Sequence, residues 1–76
     1  MVEKMKKIAS INFNDIPGYN NHVIVDENKF LFYHDKISDI EELISITERK
    51  FAIKLKVDCG PINSKKYNSY VTEIHV

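Results

Sequence analysis

KISDIEELISITERKF (36–51) is the stretch whose apolar residues keep a helical period. Ile40, Leu43, Ile44, Thr47 and Phe51 recur at helical spacing, while Asp39, Glu42, Glu48, Arg49 and Lys50 take other directions. Ser38 followed three residues later by Glu41 reads as a capping box. Acidic residues in the first turn and basic ones in the last complement the helix dipole. The predicted helix of about fourteen residues is roughly 20 Å long at 1.5 Å per residue. A six-residue strand at about 3.3 Å per residue has the same reach, so one such helix covers one face of one small sheet.

Both flanks of the helix alternate instead. Upstream, KIASINF (7–13) sets Ala9, Ile11 and Phe13 against Ser10 and Asn12, the period of a half-buried first strand. In NDIPGYNN, Pro17 presets position i+1 of a turn and Gly18 supplies the positive φ that position i+2 of a type II turn requires. HVIVDENKFLFYH then carries two β-rich runs around the polar DENK, a hairpin of strands at 22–25 and 30–33. Downstream, FAIKLKVDC alternates Ile53, Leu55, Val57 and Cys59 against Lys54, Lys56 and Asp58. A connection over 60–66 leads to a last strand in YNSYVTEIHV. The expectation is a single α+β domain over 1–76, ordered βββαββ, with 1–6 a flexible lead. One helix crosses one face of a mainly antiparallel, mixed sheet of about five strands, and a right-handed crossover makes the strands on either side of the helix parallel.

Composition narrows the functions open to such a domain. A chain of 76 residues buries only about 60% of its unfolded surface, so the core is small. Eleven basic and eleven acidic residues cancel, which removes any global field for nucleic acid or an anionic membrane. Arg49 is the single arginine, and bidentate reading of bases leans on arginine. Cys59 has no partner in the chain for a disulfide, which favours a reducing, cytoplasmic location. MVEKMKK is followed by polar breaks before any apolar core of a signal peptide, and no apolar run is long enough to span a bilayer. No phosphate-binding glycine loop occurs, and no internal repeat is visible.

Following the strands up and down gathers three connections at the helix N-terminal end. Tyr19, Asn20, Asn21, His22, His34, Asp35, Cys59, Lys65, Lys66 and Tyr67 are expected there. Pairing Val25 with Phe30 groups Val23, Val25, Phe30 and Phe32 on the core face and leaves Ile24, Leu31 and Tyr33 on a face that one helix cannot cover. Cys59 beside His22 or His34 has the ingredients of a thiolate–base pair, and with Asp35 those of a metal site. Its place on an apolar strand face makes it a small hydrophobe instead, and Ile62 stands where a dithiol motif would need a second cysteine. No catalytic residue, metal ligand or cofactor is therefore assigned.

The leading expectation is a small non-enzymatic module that binds another protein as an adaptor, modulator or inhibitor, of the kind a phage or other mobile element encodes. It would act through loops 15–21 and 60–67, through the apolar face of the 22–33 hairpin, or both. The candidate residues are Tyr19, Asn20, Asn21, Ile24, Leu31, Tyr33, Ile62, Lys65, Lys66 and Tyr67, and a homo-oligomer is open to the same surface. The alternative is a nucleic-acid module in which Lys65, Lys66, Tyr67 and Tyr70 of KKYNSY track a single strand. A cysteine- or metal-dependent enzyme ranks third, and no membrane partner is expected.

Overall fold

The computed structural model describes residues 3–65 and 68–76. Its order is α1 (Glu3–Ser10), β1 (Tyr19–Ile24), β2 (Lys29–His34), α2 (Asp39–Phe51), β3 (Lys56–Ser64) and β4 (Ser69–His75). The α+β class is as expected, with two helices and a four-stranded sheet in place of one helix and about five strands. The sheet runs β1-β2-β4-β3 with every neighbouring pair antiparallel. β2 and β3 point the same way, as the crossover expectation required, but β4 lies between them. No described helix is long and apolar enough to cross a membrane.

The expected first strand over 7–13 is the largest correction. Met5 and Ile8, three apart, are fully buried with Ile11 and Phe13 further on, so the segment fits a helical stripe as well as a strand. Strong helix formers and Glu3 in the first turn with Lys7 in the last favour the helix. Ser10 Oγ donates to the Lys7 carbonyl at 2.8 Å and the Ile11 N–H to Ile8 at 3.2 Å, closing α1 before the chain extends. Residues 3–6, expected to be flexible, thus belong to a helix anchored by Met5.

The turn after it is as read. The Tyr19 N–H donates to the Ile16 carbonyl at 3.3 Å across Pro17 and Gly18, and Gly18 sits at φ 84°. A Cβ on Gly18 would lie 2.4 Å from Asp39 Cγ, so both backbone and space exclude a side chain there.

Helix α2 is where the sequence placed it, but its cap differs. Ser38 is already helical (φ −72°, ψ −16°) and makes no capping bond. The Asp39 carboxylate instead accepts the Lys36 N–H at 2.8 Å. At the other end Ala52 takes the left-handed conformation (φ 53°, ψ 46°). Ile53 (buried) and Leu55 then pack on the core from a linking segment, where the Leu55 N–H donates to Glu48 Oε2 at 2.9 Å. The alternation beginning at Ile53 is therefore used partly before β3 starts at Lys56. β3 itself continues to Ser64 through the stretch 60–64 expected as a loop, with irregular register between Val57 and Cys59 and between Cys59 and Ile62.

The hairpin register is Ile24 opposite Phe30, one residue from the expected pairing. A slip of one exchanges the faces. Ile24 therefore packs against the core and Val23 does not. On one face Phe30, Phe32 and Ile74 form a cluster with Met5 and Ile8 of α1 and Ile40 and Leu43 of α2. Both helices cover that face.

Candidate functional site

Alternate residues of the same strands make the other face. Leu31 lies opposite Glu73 and Val23, and Tyr33 opposite Val71 and Asn21. Across β4, Cys59 is opposite Glu73 and Ile62 opposite Val71. Leu31, Tyr33, Cys59, Ile62, Val71 and Glu73 surround a shallow depression of about 150 Å³. Ile62 is 54% exposed and Val23 38%, values that mark a sheet face left without a cover by the described residues.

One end of this face is closed by charge. Lys29 Nζ lies 2.9 Å from Asp58 Oδ2 and 3.8 Å from Glu73 Oε1, tying β2 to β3 over β4. The hydrogen bond to Asp58 raises the Lys29 pKa, and the same bond from Lys29 lowers that of Asp58. All three groups are partly exposed, so solvent screens them and their energetic worth is small. Their role is to place a polar rim beside the apolar strip.

The structure separates the residues that the sequence grouped. Leu31, Tyr33 and Ile62 are together on the open face, while Ile24 is on the helix side. Tyr19 starts β1 with its ring stacked on Phe13 at 5.4 Å, and its hydroxyl meets His22 Nδ1 at 2.7 Å, so it belongs to the covered face. Asn20 and Asn21 are exposed at the expected end, as is Lys65. Lys66 and Tyr67 lie outside the described residues. Tyr70 stacks on His34 at 6.3 Å, on the helix side. Val23, Val71 and Glu73 were missed. The alternation of β4 holds the signal for Val71 and Glu73, since Thr72 and Ile74 between them are fully buried.

The thiol–histidine and metal constellations do not assemble. Cys59 is exposed on the open face, midway along β3 and not at the loop end, whereas His22 and His34 lie on the covered one. His34 is fully buried. Its Nδ1–H donates to the Lys36 carbonyl at 2.8 Å, and Nε2 meets Thr72 Oγ1 at 2.8 Å, so both ring nitrogens are used structurally. His22 is half-buried beside Phe13, and burial lowers its pKa. Among the described residues no group of three or more His, Cys, Asp or Glu is placed to hold a metal ion.

Two larger hollows lie at the C-terminal end of α2. One of about 600 Å³ is lined by Glu48, Arg49, Ala52, Ile53 and Lys54, and one of about 480 Å³ by Lys7, Ser10, Ile11, Asn12, Lys50 and Phe51. Their lysines and arginine complement the negative ends of α1 and α2 and account for themselves as solvated helix termini. No family description fits the chain: no family model, no curated protein and no solved structure matches it.

Proposed function

We propose that this chain is a small non-enzymatic module that binds another protein, as an adaptor, modulator or inhibitor, through the open face of its sheet. The observation that carries the reading is the apolar strip Leu31, Tyr33, Val71 and Ile62, uncovered by either helix and bordered by the Lys29–Asp58–Glu73 cluster. An apolar centre with a polar rim is the anatomy of a protein interface. Ile62 is 54% exposed, so completing its burial is worth about half of the value for a whole aliphatic side chain, roughly 1 kcal/mol, a several-fold change in affinity. Asn20, Asn21 and Lys65 flank the strip as polar contacts. The one thiol faces Glu73 and apolar neighbours, His22 and His34 lie on the covered side, and His75 stands opposite Lys29 and Lys56 at the charged end of the open face, which favours binding over nucleophilic chemistry.

The test is capture from source cells with the native chain and with Ile62→Glu. Retention of one protein by the native chain and its loss from the variant, both folded by circular dichroism, is the expected result. An identical set retained by both chains would overturn the reading.

A further inference from the structure

We propose that the chain also self-associates by pairing the free edge of β1 with β1 of a second copy, antiparallel, with Val23 meeting its own counterpart on the twofold axis. The proposal stands on the two edges of the sheet and not on the open-face reading. A sheet edge presents unpaired N–H and C=O groups, and proteins that remain monomeric blunt such edges with proline, bulges or charge. The β3 edge is blunted in every one of these ways. Pro61 has no N–H, Gly60 sits at φ 103°, register breaks on both sides of Cys59, and Lys56 and Asp58 add charge.

The β1 edge has none of these over 21–24. Asn21, His22, Val23 and Ile24 pair regularly with Tyr33, Phe32, Leu31 and Phe30, with the single irregularity before Asn21. The strand YNNHVI contains no proline and no acidic, lysine or arginine residue, and burial disfavours the charged form of His22.

Backbone alternation fixes which groups are free. The Val25 N–H donates inward to the Lys29 carbonyl at 3.1 Å. In an antiparallel pair the hydrogen-bonded positions recur every second residue, so Val23 and Asn21 also bond inward while His22 and Ile24 direct N–H and C=O outward. A twofold axis at Val23 sets His22 opposite Ile24 of the second copy, and Ile24 opposite its His22. The four free N–H groups and four free carbonyls of these residues then exchange about four hydrogen bonds. The two Val23 residues form the non-hydrogen-bonded pair between them, with Cα atoms about 4.5 Å apart and side chains in contact. Asp26 falls beside Asn20 of the other copy, so no like charges meet. This complementarity of the strand with itself selects a second copy over an unrelated extended peptide. Val23 shares a face with Leu31, so the product is an eight-stranded sheet whose two apolar strips run on together.

Sedimentation equilibrium over a concentration series tests this. The native chain is expected to dimerise, and Val23→Asp, at a position already 38% exposed, is expected to raise the dissociation constant about tenfold or more while the fold persists. In a Val23→Cys, Cys59→Ser chain, oxidation is expected to give a disulfide-linked dimer when folded and far less of it in urea. A native chain that stays monomeric to about 1 mM would overturn the proposal. So would a dimer indifferent to Val23→Asp, or cross-linking equally efficient in urea. Ile62→Glu separates the two surfaces, because it is expected to abolish hetero-partner capture and leave the dimer intact. A dimer lost in Ile62→Glu and kept in Val23→Asp would place the contact on the open face and overturn the edge pairing.

Discussion

The two faces of the sheet are cut from the same strands, residue by residue, yet they have opposite physical characters. On β2, Phe30, Phe32 and His34 are fully buried, while Leu31 and Tyr33 between them are half-buried. On β4, Thr72 and Ile74 are fully buried, and Val71 and Glu73 are not. The difference lies in what covers each face. Two helices and the extended segment carrying Ile11, Phe13 and Ile16 seal one side. Polar groups buried on that side are satisfied internally where His34 bonds to Lys36 and Thr72. The other side keeps an apolar strip in contact with water, where no such satisfaction is needed and where burial against a partner is still available as a driving force.

The largest expected effect tests the covered face. Phe32 is fully buried, with ring centroids 5.1 Å from Phe13 and 4.8 Å from Phe30. Phe32→Ala should destabilise the chain by about 3–5 kcal/mol in urea unfolding, a large share of the stability of so small a domain. A loss below about 1 kcal/mol would mean that the aromatic cluster is not the core.

A smaller effect should come from pH. Burial lowers the pKa of His22 in the folded chain, so the unfolded chain binds that proton more readily. The contribution is fully present above the ordinary histidine value of about 6.5 and is lost as pH falls below it toward the folded value. Urea midpoints should therefore decline between about pH 7 and pH 5 with a slope that His22→Gln reduces. An unchanged slope in that variant would remove His22 from the covered face.

The smallest effect should lie on the open face. Ile62→Glu should alter stability by no more than about 0.5 kcal/mol, because a 54% exposed side chain gives up little on truncation or charge. A loss comparable to that of Phe32→Ala would show that the open face is part of the core and would erase the contrast between the two sides.

Much of this organisation was legible in the residues. The period of 36–51 located α2, Pro17-Gly18 located the turn, and the β-rich runs around DENK located the first hairpin. Leu31 and Tyr33 were legible as candidates because a face with apolar residues and one short helix leaves surface uncovered, whereas Ile62 was a candidate only as part of the expected 60–67 loop. Val23 and Ile24 exchanged places because both are β-branched and apolar, so nothing in the local pattern favours one register over its neighbour. Cys59 looked like the end of a core strand because Ile53, Leu55, Val57 and Cys59 do alternate. That alternation is spent on the core by Ile53 and Leu55 before the strand begins at Lys56, and its register then breaks between Val57 and Cys59.

The sequence by itself determined the class of the domain, its one long amphipathic helix, its punctuation by Pro17 and Gly18, and the absence of net charge. These are properties of short windows, written in period and composition. Only the tertiary structure decided that 3–10 is a helix, that β4 lies between β2 and β3, which edge of the sheet is guarded, and which valine faces outward. Met5 and Ile8 become a helical stripe because Phe30, Phe32, Ile40, Leu43 and Ile74 are there to receive them. A two-residue period and a three-residue period overlap over so short a segment, and long-range burial breaks the tie.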